Sequence, residues 1–462
     1  MQELKEALNA TEKSDTRSLI SQIFDANTFV EIGAFTKRKF NEVVVNEKEN
    51  LLEGVICGYG AINGRLAFAF AQDSTRMKGA IDENHAKKIC ELYDLALKNA
   101  APVVAIFNCG GADIFEGAAS LAAYGKIMKS VAEASGAVPQ IAVVNGACIG
   151  TSASIAAMFD YVVKVKSSSF YVTAPEFNKS ANAELSAISA IVDDASSAAL
   201  HIRSVMDYIP DNASSDVCVY DCADDLNRLI DESAANDVHT LISNVADNGR
   251  YMELYAGYAS EMVTALATIG GVNCGIVATD FAVNEGRITS DGANKAAKLV
   301  SFCDAFNIPV VNLVDSMGLS IGENGNRYAS DLAKLSLAYA QAEIPMVSVT
   351  LGHAIGAAFT ILGSKAMGAD IAYAIERSEI SALGADASVA FAWNDKVSLK
   401  KSREELEAEW KASLASPGAA ASVGEIDDII SVSEIRARIC SALLMLAGKG
   451  EIIFAKHSTL TL

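Results

Sequence analysis

The chain passes twice through the same order of sequence elements, with a period of about half its 462 residues. Each pass has an amphipathic helix leading to an aromatic strand start, an apolar strand–turn–strand, and two buried strands that end in glycine-containing turns. The matched segments are residues 18–31 and 240–253, 60–67 and 270–277, 102–111 and 309–318, and 138–150 and 344–356. The offset drifts slowly from 222 to 206 residues, as small loop-length changes would produce, whereas a chance likeness of α/β units would not keep this order. The repeat therefore predicts two related halves.

The same segments predict an α/β fold for each half. Apolar runs of five to eight residues alternate with amphipathic helices and glycine-rich turns, which predicts strand–strand–helix units coiled one after another. A chain of 462 residues also exceeds the roughly 250–300 residues at which a single core usually divides. The acidic, polar segments 211–216 and 221–225 are typical of a linker. We therefore expect two domains, residues 1–235 and 236–462.

The composition argues against several classes of partner. With 37 basic and 57 acidic residues the net charge is −20, which repels nucleic acids and anionic membranes. Segments 139–158 and 344–363 contain no charged residue over about the length of a membrane span, but their Gly, Ser and Thr content favours a buried strand running into a helix. Residues 1–15 are charged and have no apolar signal core. We expect a cytoplasmic protein without a membrane span.

The cysteines and histidines suggest neither a metal centre nor a nucleophilic triad. The nine cysteines are scattered without a CxxC pair, and Cys218 and Cys222 have no second pair of ligands nearby, so we expect no metal. Of the five histidines, His85 and His353 lie near the glycine turns, and neither has an evident partner for general-base catalysis. We expect structural or substrate-orienting roles for both.

The glycine turns of the first half are candidates for anion stabilisation. One buried strand stops at Gly110 and Gly111 and passes through Ala112 into a helix, and another stops at Gly146 before a helix that begins near Ile149. Glycine lets backbone N–H groups approach a ligand, and the first N–H groups of a helix have no acceptor inside it. Two such turns on adjacent strands can converge on one carbonyl oxygen. This is the geometry that stabilises a thioester enolate.

The second half supplies a corresponding pair of turns, at Gly318 with Leu319 and at Gly356 with Ala357. A single glycine-rich turn more often serves close packing, but the repetition in register favours a functional role. The chain therefore offers two oxyanion holes, as a reaction with two enolate-like partners requires.

Further short segments complete a recognisable pattern. They are residues 60–65, 71–73, 85–89, 110–112, 116–117 and 138–140 in the first half, and 302–309, 314–315, Gly318, 364–365 and 435–439 in the second. Together with the turns, from about Thr16 to the C-terminus, they resemble the carboxyltransferase subunits of biotin-dependent acyl-CoA carboxylases, of the propionyl-CoA carboxylase beta type, within the crotonase superfamily. The resemblance implies tandem crotonase-like ββα superhelical domains, with the acyl-CoA, such as methylmalonyl-CoA, on residues 1–235 and biotin on residues 236–462.

The resemblance also implies roles for individual residues. The implied catalytic residues are Gly111, Ala112, Gly150 and Thr151 around the thioester oxygen, and Gly318, Leu319, Gly356 and Ala357 around the ureido oxygen of biotin. The implied cofactor-binding residues are Gly110, Gly146, Ala354 and Ile355. Cys303 and Asp304 would lie near the acyl pocket.

The implied partners follow from the same resemblance. The chain has no Ala-Met-Lys-Met biotinylation site and no GxxxxGK[ST] nucleotide loop, so biotin carriage and ATP use belong to other chains. We expect a biotin carboxyl carrier protein and biotin carboxylase or decarboxylase subunits as partners. The resemblance further implies a homohexamer of stacked trimers, and catalysis by positioning and electrostatics without a side-chain base.

Departures from the family pattern leave alternatives open. Asp113 stands where the family usually has Arg, Thr151 and Ala357 replace a second glycine, residues 316–318 lack the usual proline, and the segment after Glu176 is shorter and different. The alternatives are the alpha subunit of a biotin-dependent decarboxylase or transcarboxylase, a CoA hydratase or isomerase, and a noncatalytic CoA-binding scaffold. The sequence specifies neither the acyl group nor the direction of transfer.

Overall fold

A computed structural model describes residues 14–38, 52–173, 185–321, 325–398 and 400–450. The chain divides into two compact units. The first runs to Cys218 and includes Leu254–Tyr258, and the second comprises Val219–Glu253 and the chain from Ala259 onward. The functional division at residue 235 stays a prediction.

The regular elements form two sheets with their helices. The first sheet comprises β1 (Val30–Ile32), β2 (Val55–Ile62), β3 (Arg65–Gln72), β4 (Val103–Cys109), β5 (Gln140–Ile149), β6 (Tyr161–Val165), β7 (Ser169–Tyr171) and β8 (Ala190–Val192). Its helices are α1 (Asp15–Ile23), α2 (Glu83–Lys98), α3 (Ala118–Ala134), α4 (Thr151–Ala156) and α5 (Ala195–Tyr208).

The second sheet comprises β9 (Tyr251–Leu254), β10 (Met262–Ile269), β11 (Val272–Thr279), β12 (Val310–Ser316), β13 (Met346–Ile355), β14 (Ile371–Ile375), β15 (Glu379–Ser381) and β16 (Asp428–Ile430). Its helices are α6 (Val238–Val245), α7 (Ser290–Ala305), α8 (Tyr328–Gln341), α9 (Ala357–Ile361), α10 (Ala385–Ala392), α11 (Arg403–Leu414), α12 (Pro417–Ser422) and α13 (Ile435–Met445).

The two sheets have the same topology. The first has the order β1-β2-β3-β4-β5-β6-β8 with β7 beside β5, and the second has the order β9-β10-β11-β12-β13-β14-β16 with β15 beside β13. In each, an antiparallel hairpin (β2–β3 or β10–β11) is followed by strands that pair in parallel. Parallel neighbours need crossover connections, which α2 and α3 supply in the first unit and α7 and α8 in the second. The predicted tandem α/β halves are confirmed.

The structure aligns the two hairpin turns differently from the sequence repeat, which matches residues 60–67 with 270–277. The first hairpin turns at Asn63 and Gly64, and the second at Gly270 and Gly271. Asn63 thus matches Gly270 and not Asn273. The φ angles of Asn63 and Gly270 are 51° and 62°, a left-handed conformation that Asn and Gly tolerate best. Both positions require a positive φ, but the first is occupied by Asn and the second by Gly.

An aspartate–arginine pair holds each hairpin turn. The amide of the second turn residue donates to Asp25 Oδ2 in the first unit and to Asp247 Oδ2 in the second, both at 2.8 Å. Arg203 Nη2 lies 2.8 Å from Asp25 Oδ1, and Arg436 Nη2 lies 2.7 Å from Asp247 Oδ1. The Arg203 side chain is 29% exposed, whereas that of Arg436 is 0% exposed. Segment 435–439, which contributes to the family resemblance, therefore contains a buried structural arginine.

Apolar side chains cover the sheets where the helices pack. In the first unit Val103, Ala105 and Phe107 of β4 belong to a core cluster with residues of α2 and α3. In the second unit Val311 and Leu313 of β12 belong to a core cluster with residues of α6 and α13. These clusters fix the parallel strands whose ends carry the glycine turns.

The two uncharged segments are strands that run into short helices, as the sequence predicts. Residues 139–158 contain β5 and α4, and residues 344–363 contain β13 and α9. Within the parts of the chain that the structure describes, every helix is too short or too polar to cross a membrane.

We predict that Arg436→Leu costs about 3–5 kcal/mol of unfolding free energy, because it leaves the buried Asp247 carboxylate without its cation. Arg203→Leu is the matched control, since it removes the corresponding but partly exposed pair and is expected to cost about 1 kcal/mol. Urea unfolding followed by circular dichroism measures both. Equal losses for the two variants would contradict the burial argument.

Candidate active site

In each unit, the two glycine turns follow residues that pair with each other on neighbouring parallel strands. Cys109 of β4 pairs with Cys148 of β5, and Ser316 of β12 pairs with Ala354 of β13. The register shifts just before both pairs, so each strand bends as it ends. Three residues beyond these four positions stand Ala112, Thr151, Leu319 and Ala357. Because adjacent strands run about 4.8 Å apart, each pair of turns meets at one edge of its sheet.

At the first turn of each unit, the glycine N–H is occupied and the following N–H is not. Gly111 N donates to Cys109 Sγ at 3.3 Å, and Gly318 N donates to Ser316 Oγ at 3.2 Å. Ala112 forms a parallel bridge to Ile81, and Leu319 forms one to Ile288. The hydrogen bonds of each bridge use the carbonyl of the preceding glycine and the amide of the following residue, and not the N–H of Ala112 or Leu319. At these two turns, Ala112 N and Leu319 N therefore have no acceptor among the described residues.

At the second turn of each unit, the glycine N–H again has an acceptor and the N–H of the next residue does not. Gly150 N donates to Tyr171 O at 2.9 Å, and Gly356 N donates to Ser381 O at 2.8 Å. The next residue begins a helix, where N–H groups have no acceptor in the preceding turn. Thr151 and Ala357 are these first helical residues. Each unit thus presents two available N–H donors on adjacent strand ends.

The glycines supply the backbone conformation that exposes these donors. Gly150 has φ 62° and ψ −131°, and Gly356 has φ 59° and ψ −133°, a region essentially restricted to glycine. Thr151 and Ala357 have negative φ, so their Cβ atoms are tolerated. The glycines therefore shape the turns, and the residues after them carry the free donors.

The four residues predicted to bind the cofactor have structural contacts of their own. Gly110 N and Gly146 N already donate within the first unit, each at 2.8 Å. Ala354 and Ile355 are buried inside β13, which pairs with β15. Their contact with a cofactor stays a prediction.

The structure does not bring Cys303 and Asp304 to the turns of their own unit. Cys303 is fully buried near the end of α7, and Asp304 Oδ1 accepts from Glu343 N at 2.8 Å, just before β13 begins. Ala357 follows the opposite end of β13, ten residues of strand or about 30 Å away. The assignment of Cys303 and Asp304 to the acyl pocket stays a prediction.

The second unit contains an imidazole–carboxylate pair that sequence reasoning missed. His353 Nδ1 lies 3.0 Å from Asp315 Oδ1, and the same oxygen accepts from His353 N at 2.7 Å. The ring stacks on Phe281 with 5.0 Å between centroids and an interplanar angle of 16°. The hydrogen bond to Asp315 raises the pKa of His353 above its usual value. These partners lie 38 residues apart in sequence, and only the pairing of β12 with β13 brings them together.

Two cavities adjoin these features of the second unit. One of 260 Å³ lies beside the His353–Asp315 pair. Another of 830 Å³ opens beside Gly356, and its apolar lining includes Phe359, Ile380, Trp410, Leu414 and Val423. Across the residues that the structure describes, no three His, Cys, Asp or Glu side chains gather in a way that could hold a metal ion.

Comparison with known proteins identifies the family. The model of the carboxyl transferase domain matches residues 10–460. The chain belongs to the carboxyl transferase family. The carboxyl transferase is 34% identical to the methylmalonyl-CoA decarboxylase subunit alpha of Veillonella parvula, over 96% of this chain and 92% of the relative. It is 31% identical to the propionyl-CoA carboxylase beta chain of Cereibacter sphaeroides, over 96% and 92% respectively.

A solved structure of transcarboxylase 12S agrees with these relatives. It matches this carboxyl transferase with a TM-score of 0.88 and 29% identity, over 99% of this chain and 95% of that chain. The family resemblance and the tandem crotonase-like α/β fold are confirmed. The carboxyl transferase is an enzyme of the biotin-dependent carboxylase type.

The structure accounts for one departure from the family pattern. Arg38 Nη2 lies 2.5 Å from Asp113 Oδ2, so a guanidinium compensates the carboxylate that replaces the usual arginine. Arg38 also lies 3.7 Å from Asp82 and 3.9 Å from Glu53, whose pKa is raised to about 8 by burial and by the Asp82 charge. Asp113 Oδ1 accepts from Phe115 N at 3.0 Å, which orders the chain after the first turn. The segment after Glu176 lies outside the described residues.

We predict that His353 stabilises the fold most at acidic pH. Its raised pKa means that this contribution is complete below the unfolded value of about 6.5 and is lost as pH rises through the folded value. Glu379 raises the pKa further, while burial and Lys411 oppose the shift. The difference in urea midpoint between wild type and His353→Gln should therefore shrink from pH 6 to pH 9.

His201→Gln is a control of opposite sign. His201 Nε2 lies 2.6 Å from Tyr161 Oη, and burial lowers the pKa of His201. Its contribution to stability is therefore complete above the unfolded pKa of about 6.5 and is lost as pH falls below that value, so the urea midpoints of His201→Gln are compared from pH 7 down to pH 5. A midpoint difference for His353→Gln that is constant with pH, or that changes in the same direction as His201→Gln, would contradict the His353–Asp315 assignment.

Proposed function

We propose that this chain transfers a carboxyl group between carboxybiotin and the α-carbon of an acyl-CoA, using one pair of backbone donors for each partner. The N–H groups of Ala112 and Thr151 hold the thioester oxygen, and those of Leu319 and Ala357 hold the ureido oxygen. The observation that carries the proposal recurs in both units: two N–H groups on adjacent strand ends have no acceptor in the part of the chain that the structure describes.

Preorganised N–H donors suit this chemistry because negative charge develops on an oxygen during transfer. Donors fixed by a strand end and a helix start need no reorganisation as that charge appears. Carboxybiotin, delivered on a separate carrier protein, supplies the carboxyl group and a basic nitrogen. The residues of this chain bind the two oxygens, orient both partners and exclude water.

The larger cavity of the second unit supports the assignment of biotin to that side. It reaches from Gly356 past apolar side chains of α9, α11 and α12 and has a volume of 830 Å³. Pockets of 300–1,000 Å³ with mostly apolar walls and few polar groups are typical of ligand sites. An aliphatic arm that ends in a ureido ring matches such a pocket beside a polar turn.

We infer that the partners are a biotin carboxyl carrier protein and biotin carboxylase or decarboxylase subunits, and that the assembly is a homohexamer. The structure of transcarboxylase 12S is described as a hexamer and a multienzyme core, and other relatives are named as subunits or chains of larger enzymes. Acyl-CoA esters related to propionyl-CoA and methylmalonyl-CoA are the proposed substrates, by the names of those relatives.

The reverse transfer is the second candidate. The 34% identity to a methylmalonyl-CoA decarboxylase alpha subunit favours removal of carboxyl from a carboxyacyl-CoA and its transfer to biotin. The same four donors serve both directions, because each holds an oxygen that gains charge whichever way the carboxyl moves.

Thr151→Pro tests the first pair of donors. Proline removes the N–H at the first helical position, where its ring fits the backbone. We predict a loss of roughly 10²–10³ in kcat for carboxyl transfer from methylmalonyl-CoA to biotin, the usual effect of deleting one oxyanion donor. Ala357→Pro should cause a similar loss through the second pair.

Thr151→Ala is the matched control, since it changes the side chain and keeps the N–H. It should retain activity within a few-fold of wild type. Circular dichroism and thermal unfolding establish that each variant is folded. Equal activities of Thr151→Pro and Thr151→Ala would refute the role of this amide.

A further inference from the structure

The smaller cavity of the second unit has features that the fold itself does not require, and the internal repeat reveals them. Asp315 and Asn108 occupy equivalent positions, one residue before the paired strand ends. Both side chains accept a hydrogen bond from the neighbouring strand: Asp315 from His353 N at 2.7 Å and Asn108 from Ala147 N at 3.3 Å. A neutral amide therefore suffices for the scaffold.

The second unit adds a charge, an imidazole and an aromatic ring to this scaffold. Where the first unit has Asn108 and Ala147, the second has a carboxylate and His353, whose ring stacks on Phe281. His353 Nδ1 is engaged with Asp315, while Nε2 has no hydrogen-bond partner among the described residues. The surplus groups face a cavity of 260 Å³ and not the protein core.

The walls of the cavity offer both acceptors and donors. Asp280 and Asp315 supply carboxylate oxygens, and the Asn236 amide and Arg377 guanidinium supply N–H groups. Arg377 makes two long contacts, 3.4 Å to Asn236 Oδ1 and 3.3 Å to a backbone carbonyl, and has no carboxylate partner in the described part of the chain. Apart from Thr279, the remaining side chains of the walls are apolar and include Phe281, Leu351, Val238 and Leu241.

The charges around the cavity favour a neutral ligand. The lining combines two basic side chains, His353 and Arg377, with the two carboxylates of Asp280 and Asp315. An anionic ligand would approach both carboxylates, and a cationic one would approach Arg377 and His353. A neutral group with N–H donors on one edge and a carbonyl oxygen on the other can donate to the two carboxylates and accept from Arg377 and Asn236.

We propose that this cavity binds a ureido group, and that its ligand is the ureido ring of the carrier's biotin. The N–H edge of the ring faces Asp315 and Asp280, the carbonyl oxygen faces Arg377 and Asn236, and the ring packs against Phe281. A thioester has no N–H group, which explains why the first unit carries Asn108 and Ala147 instead. The identification of the ligand rests on the proposed function.

The cavity is separate from the donors assigned to transfer. Its lining contains none of the four residues with free turn amides, and His353 precedes Gly356 by three strand residues, or about 10 Å. A ureido ring held here is therefore bound outside the transfer position.

Binding of 2-imidazolidinone and of biocytin to the full chain, measured by isothermal titration calorimetry, tests this proposal without a need for catalysis. Both ligands should bind the wild type. Asp315→Asn should weaken binding about tenfold or more, since the N–H edge of the bound ring loses its charged acceptor, and His353→Ala should weaken binding because it removes the imidazole that positions Asp315. Asp315→Asn copies the first unit and retains the scaffold acceptor, so it is expected to fold.

His201→Gln is the control, because it removes a histidine of the first unit and should leave binding unchanged. Failure of the wild type to bind either ligand, tighter binding of propionate than of 2-imidazolidinone, or equal binding by wild type and Asp315→Asn would each overturn the proposal. Carboxyl transfer by the same preparations reports separately on the proposed function. If Ala357→Pro abolishes 2-imidazolidinone binding along with transfer, the ring binds at the turns and this proposal is wrong.

Discussion

The proposed carboxyl transfer depends on four backbone N–H groups that have no acceptor among the described residues. In each unit, two parallel strands end side by side, a glycine reverses the local conformation, and the next amide donates to no described carbonyl. An unpaired donor is unfavourable when buried, so such groups persist only where water or a ligand reaches them. Their repetition in equivalent positions makes close packing alone an insufficient reason for the glycine turns.

Duplication explains both the likeness and the difference of the two units. The sheets share strand order, pairing register and the aspartate–arginine pair at the hairpin. Two differences lie beside the turns, where the first unit has Arg38 with Asp113 and the second has His353 with Asp315. The shared parts position backbone donors, and the distinct side chains are suited to different ligands.

Periodicity and glycine placement in the sequence were enough to predict the tandem α/β fold and the four turns. The sequence could not assign the donors, because whether Gly111 or Ala112 offers a free N–H depends on the Cys109 side chain that occupies the glycine amide. The hairpin register was predicted wrongly, since Gly270 meets the same backbone demand as Asn63 without resembling it. The His353–Asp315 pair required strand pairing to become visible, as did the compensation of Asp113 by Arg38.

A crystal structure of the chain with a bound acyl-CoA tests the central claim most directly, because it locates the thioester oxygen relative to the turn amides. The account predicts this oxygen at about 2.7–3.1 Å from both Ala112 N and Thr151 N, a distance that preorganised donors require. A thioester oxygen outside hydrogen-bonding distance of both amides, or one that meets side-chain donors elsewhere on the first sheet, would contradict it.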